Sequence, residues 1–279
     1  MIENTPIKKA RDLSLKIRIH CLAMTSDAGS SHIGSIFSCA DIIACLYSGI
    51  LRYDTTDPKS NNRDRFILSK GHSGAALYAT LAEVGFFDLS VLKSYYKNGS
   101  HLSGHVSHKN VPGVDFSTGS LGHGLPVACG IALAGKLDNK NFKVVTLLGD
   151  GECNEGAIWE AAMFANHKNL GNLIVIIDRN NLQSIENTEQ TLALEPFISK
   201  WENFGFDVFC SDGHSHSELF YILQKIWSKT INEKPSVLIA KTIKGKGVSF
   251  MENSVLWHYR AARGDEFLQA MQELESQKS

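Results

Sequence analysis

The sequence predicts an α/β domain built on an open, mainly parallel sheet flanked by helices. Three observations carry this. The runs "KVVTLLG" (143–149) and "NLIVIID" (172–178) are short, β-branched and continuously apolar, as strands buried on both faces of a parallel sheet are. Between them, "NEGAIWEAAMFANHKNL" has helical length and good helix formers. The alternation continues through "FDVFCSDG" (206–213), a helix near 215–230 and "PSVLIAKT" (235–242), and such repetition gives a parallel sheet.

The elements before this core follow in order. Residues 4–26 read as an amphipathic helix with Ile7, Leu13, Ile17 and Met24 roughly on one side. Asp41 to Leu51 predicts a second helix and Gly74 to Gly85 a third. Residues 98–123 are rich in Gly, Ser and His without periodicity and read as a long loop; His123 to Lys136 then predicts another helix. Alanines repeat every four residues at Ala157, Ala161 and Ala165, and at Ala128 and Ala132. Such small stripes allow close approach either of the chain's own sheet or of a partner.

The 279 residues fit one large domain or two small ones. Apolar residues make up 43% and charged residues 20%, enough to fill a core. A net charge of −1 supplies no field for nucleic acid or an acidic membrane. The charged start "IKKARDLSLKIRIH" is unlike a signal peptide, and no stretch of 18 apolar residues occurs. Cys21, Cys39, Cys45, Cys129, Cys153 and Cys210 form no Cys-x-x-Cys pair, which reads as a reduced, cytoplasmic chain.

In open parallel sheets ligands bind beyond the carboxyl ends of the strands. Asp150 follows one strand and Asn180 the next. A carboxylate, an amide oxygen and the Leu182 carbonyl are hard oxygen donors of the kind Mg²⁺ or Ca²⁺ takes together with phosphate oxygens. Gly149 and Gly151 allow a sharp turn close to a phosphate, and a helix starting near Glu155 directs free N–H groups toward it. Five of the 11 histidines, His32, His72, His105, His123 and His258, lie in loop-like contexts, where imidazoles can donate to hydroxyls and shuttle protons. A zinc site finds little support, since His105 and His108 sit in the loop without a helical His-x₃-His. The glycines of "GSLGHG" reverse the dinucleotide fingerprint, so a nicotinamide site is set aside.

Gly-Asp-Gly followed by Asn-Asn resembles the thiamine diphosphate motif. The ordered series "SSHIG", "DRFILSKGHS", "SGHV", "PGVDFSTGSLGHG", "GDGECNEG", "IIDRNNLQ" and "KTIKGKGVSFME…WH" resembles the N-terminal domain of transketolase over roughly residues 10–260. The resemblance implies a thiamine diphosphate-binding fold, with the whole of 1–279 as one diphosphate-binding domain. It implies that His32 and His105 contact sugar hydroxyls, and that His72 and His258 lie by the diphosphate and reacting carbon. Gly119, Ser120 and Leu121 would lie along the cofactor, Gly149 and Gly151 would flank its diphosphate, and Asp150, Asn180 and the Leu182 carbonyl would hold Mg²⁺ or Ca²⁺. Glu155 matches an acidic residue linking cofactor sites across a dimer. The implied activity is transfer of a two-carbon ketol unit from a ketose, such as a sugar phosphate, to an aldose. The family's pyrimidine-binding domain is expected on a separate C-terminal partner subunit, in an α₂β₂ assembly. Three positions depart from the family's pattern, Ile33 and Val106 where Pro is common and Tyr259 where Gly is usual, and bear on the sugar rather than the cofactor. The alternatives are a non-catalytic cofactor-binding or regulatory subunit, and another thiamine class such as a deoxyxylulose phosphate synthase.

Overall fold

A computed structural model describes residues 5–278. Helices α1 (Pro6–Ala28), α2 (Ile33–Ser38) and α3 (Ala40–Cys45) precede strand β1 (Arg65–Leu68) and α4 (Gly74–Glu83). Then come α5 (Gly124–Leu137), β2 (Val144–Gly149), α6 (Gly156–His167), β3 (Leu173–Arg179), α7 (Thr188–Thr191) and α8 (Phe197–Asn203). The chain closes with β4 (Asp207–Asp212), α9 (His216–Trp227), β5 (Ser236–Lys241) and α10 (Asp265–Glu275). The strands form one sheet in the order β1-β2-β3-β5-β4, and every pairing is parallel.

The apolar runs form strands because both of their faces are buried. Val145, Leu147, Ile174 and Ile176 pack toward α1, α3 and α4, while Val144, Leu148, Val175 and Ile177 pack toward α5 and α6. Successive strand side chains point to opposite faces, so continuous apolarity is what a two-sided core requires. None of the helices among the described residues is long and apolar enough to cross a membrane.

Several expectations need correction. The first helix begins at Pro6, capped by the Thr5 side chain; residue 4 lies outside the described residues. It buries Leu13, Ile17 and Met24, with Ile7 only packed against the core's edge. The helix expected over 41–51 is shorter: after α3 the backbone passes through a wider turn at Leu46–Ile50, where Gly49 has φ 153° with Pro6 packed against it. Apart from the half-buried Ala157, the alanine stripes face inward. Ala128, Ala132, Ala161 and Ala165 are buried between α5, α6 and the sheet, and the Cys129 thiol lies 3.6 Å from the Ala161 carbonyl oxygen. They serve close helix packing within this chain.

Strand register sets the site. Gly149 pairs with Asp178, and Arg179 with Lys241. The chain leaving β1, β2, β3 and β5 therefore emerges at one edge, as expected for Asp150 and Asn180.

Candidate active site

At that edge a cavity of about 230 Å³ is lined from eight segments of the chain. The turn after β2 supplies Asp150. Its Oδ1 accepts from the Gly151 amide at 2.8 Å, and its Oδ2 accepts from the Asn181 amide at 2.6 Å. The Asn-Asn pair divides the work of the next turn. Asn180 Oδ1 accepts from the Leu182 amide at 3.1 Å, while Asn181 takes the left-handed conformation, φ 64°, which Asn tolerates better than most residues. Carboxylate, amide and the Leu182 carbonyl thus border one cavity.

Asp150 is 2% exposed. Burial pushes its carboxyl up to about 6, with repulsion from Asp178 adding and Arg179 opposing. A buried carboxylate with spare lone pairs, beside a carbonyl and an amide, is a donor set that suits a hard divalent cation. The turn after β3 already attracts positive charge. Lys244 Nζ donates to the Leu182 carbonyl at 3.1 Å and the Gln183 carbonyl at 2.8 Å. Burial, with repulsion from Lys70 next, lowers the Lys244 ammonium to about 8. A Cβ built on Gly149 meets nothing within 4 Å, so space remains beside the turn, whereas one on Gly151 would strike Gln183 at 2.8 Å. These features fit a metal-bound diphosphate.

The histidines converge opposite. The His32 ring lies 4.9 Å from His258, 5.1 Å from His72 and 5.6 Å from His105. The His32 amide donates to the His258 carbonyl at 2.7 Å, which ties the two segments together. His32 Nδ1 is buried without a hydrogen-bond partner, and a ligand hydroxyl would satisfy it. Burial, aided by repulsion from His105, lowers His32 to about 4. Burial, with Lys244 next, lowers His258 to about 3, and burial with Lys70 holds His72 well below its ordinary value. Lys244 Nζ lies 2.9 Å from His258 Nδ1. An ammonium only donates, so Nδ1 accepts and the His258 proton sits on Nε2.

Not every expected residue lines the cavity. Ser120 and Glu155 are exposed and outside it. His123 precedes α5 and is also outside, and His108 bonds Ser117 Oγ at 2.7 Å. The N-terminus of α6 is displaced as well, because a 3₁₀ turn at Gly151–Asn154, capped by Asp150, intervenes. Of the three departures from the family pattern, Ile33 and Val106 are buried in the core, and Tyr259 alone lines the cavity.

Three charged residues were missed. Lys70 pairs with Asp178, which Ser38 and Thr242 also bond. Glu152 accepts from Ser69 and from the amides of Gly122 at 2.9 Å and Gly149 at 3.1 Å, which joins the loop before α5 to the metal turn. Lys244 is the third. All three stand inside the quoted motifs, which is the only sequence signal for them.

The low histidine values give a pH dependence. The unfolded chain takes up these protons near 6.5, whereas folded His32 and His258 wait until about 4 and 3. Between those limits the unfolded state binds more protons, so stability falls as pH drops. At pH 5 the pair is expected to cost roughly 2 kcal/mol, allowing for solvent at the pocket mouth. Melting temperature followed from pH 7.5 to 5 should decline, and a His32→Asn, His258→Asn double variant should flatten that decline.

The family model described as transketolase, thiamine diphosphate binding domain, matches residues 10–277. The chain belongs to the transketolase family. Its fold and family are as the sequence led one to expect, and it is the thiamine diphosphate-binding, N-terminal portion of a transferase of that class. It is similar to one of the separate subunits of the apulose-4-phosphate transketolase of Phocaeicola vulgatus, 41% identical over 94% of this chain and 92% of that one. It is also similar to the 6-deoxy-6-sulfo-D-fructose transketolase subunit SqwG of a Clostridium species, 39% identical over 89% and 90%. The crystal structure of Campylobacter jejuni transketolase superimposes with a TM-score of 0.89 at 30% identity. That match covers 96% of this chain but 43% of the other. The chain therefore spans less than half of that transketolase, and nearly the whole of the separate subunits.

Proposed function

We propose that this chain is the diphosphate-binding subunit of a split, cytoplasmic transketolase, and that 1–279 forms its single diphosphate-binding domain. The observation that carries the reading is the single cavity that joins Asp150, Asn180 and the Leu182 carbonyl to His32, His72, His105 and His258. Asp150, Asn180 and the Leu182 carbonyl would hold Mg²⁺, or Ca²⁺, and Lys244, Gly149 and Gly151 would lie by the diphosphate. Gly119 and Leu121 line the cofactor; Ser120 and Glu155 face outward toward a partner. The cavity is below the ~300 Å³ at which ligand sites usually begin. This supports a C-terminal partner subunit that encloses the rest of the cofactor, in an α₂β₂ assembly. Exposed Met163 and Phe164 on α6 are consistent with contact to another chain.

The reaction moves a two-carbon ketol unit. The C2–C3 bond of the donor ketose breaks to release a shorter aldose, and the unit forms a new bond to the acceptor's aldehyde carbon, with no net oxidation. Bound thiamine diphosphate supplies the electron sink for breaking a bond beside a carbonyl. His258, neutral and protonated on Nε2, donates from Nε2 to a carbonyl oxygen. His32 Nδ1, without a protein partner, exchanges a hydroxyl proton, and His105 orients the sugar chain. Neutral imidazoles suit both tasks near pH 7. The donors are ketoses with a terminal phosphate or sulfonate, in keeping with the names of the subunit relatives.

The test is to mix this chain with the chain encoded beside its gene and follow transfer from phosphorylated and sulfonated ketoses. Transfer in the mixture, and by neither chain alone, is expected. Transfer by neither chain nor mixture would contradict the reading.

A further inference from the structure

Tyr259 follows the short turn Val255–His258, lines the cavity and is 65% exposed. Its ring stands edge-on to His258, with centroids 4.7 Å apart, and 5.9 Å from His32. The chain before it is fixed. His258 is held through its carbonyl by the His32 amide, and the Trp257 indole N–H donates to the Phe250 carbonyl at 3.0 Å. The next residue is braced too, since the Arg260 guanidinium lies 5.2 Å over the Trp257 ring. The ring is thus held at the rim by anchored backbone. Its hydroxyl makes no hydrogen bond among the described residues.

We propose that Tyr259 selects the substrate: its ring forms one wall of the cavity mouth, and its hydroxyl hydrogen-bonds the sugar chain beyond the reacting carbons. This rests on the transketolase reading above. A ring against two imidazoles narrows the approach on one side, and a free phenol offers one donor and one acceptor to a polyhydroxylated chain. A long, hydroxyl-rich acceptor gains this contact, whereas a two-carbon aldehyde does not reach it. Among the described residues no hydrogen bond joins the Tyr259 side chain to the cation turn or to the buried charges around Lys70, so the proposal gives it no part in holding the cofactor.

The experiment uses the assembled pair of chains with D-ribose 5-phosphate and glycolaldehyde as acceptors. Tyr259→Phe keeps the wall and loses the hydroxyl, so KM for the five-carbon acceptor is expected to rise about 2–10-fold with kcat nearly unchanged. Tyr259→Gly loses both, and the preference in kcat/KM for the five-carbon acceptor over glycolaldehyde is expected to fall about tenfold, with thiamine diphosphate affinity unchanged. An active pair whose preference does not move in either variant overturns the proposal and leaves the function standing. A loss of cofactor affinity equal to the loss of activity overturns it as well. If the unaltered pair transfers nothing to either acceptor, the function falls and the assignment of Tyr259 falls with it.

Discussion

Replacing Asp150 with alanine is expected to weaken thiamine diphosphate binding in the presence of Mg²⁺ by more than about 100-fold, and to abolish ketol transfer. Loss of groups that merely support metal ligands costs about 10–100-fold, and Asp150 is the only carboxylate in the proposed donor set. The chain should nonetheless fold. Arg179, which faces Asp150 at 3.4 Å, keeps Thr188 at 2.9 Å, Glu189 at 3.1 Å and Glu195 at 3.0 Å. Asp150 is buried beside Asp178, so its removal also relieves a repulsion. Calorimetric titration and a thermal melt on the same sample check both halves. Wild-type affinity would remove Asp150 from the cation site; a collapsed melt would give it a structural role.

Lys70→Ala is expected to destabilise the chain by about 3–5 kcal/mol, the usual cost of removing one partner from a buried ion pair. Lys70 is 1% exposed and Asp178 is fully buried. The ammonium also donates to the Ser35 carbonyl at 3.1 Å. Without it, Asp178 retains only the Ser38 and Thr242 hydroxyls. At about 2–4 °C per kcal/mol, the melting temperature should fall by roughly 10 °C. The Lys70→Met, Asp178→Leu double variant removes both charges and should recover much of the loss. Urea unfolding measures both, and a Lys70→Ala loss under about 1 kcal/mol would show that the two hydroxyls suffice.

Legibility followed burial. β2 and β3 are covered on both faces, so their apolar runs were plain in the sequence, and with them the places of Asp150 and Asn180. β1 was not. Arg65–Leu68 has four residues, too few for any period to emerge. α10 carries Asp265 and Glu266 in its first turn, yet no apolar run marks it. The four histidines were legible because each stood in a distinctive context, and the loops do bring them together. Lys70 and Lys244 were not, because lysine is a surface residue unless paired. Only the β1-β2-β3-β5 order brings Lys70 to Asp178 and Lys244 to the Leu182 carbonyl. Ser120 was carried over by position in a motif, and position alone does not settle which way a loop residue faces.

Thiamine diphosphate is expected to bind in this cavity through a divalent cation. The most direct test is a calorimetric titration of thiamine diphosphate into this chain, alone and mixed with its neighbouring gene product, with Mg²⁺ and with EDTA. Mg²⁺-dependent binding that tightens in the mixture and is lost in Asp150→Ala is expected. Binding that is indifferent to Mg²⁺ would contradict the cation site. No binding under any condition would contradict the cofactor and favour a scaffold subunit.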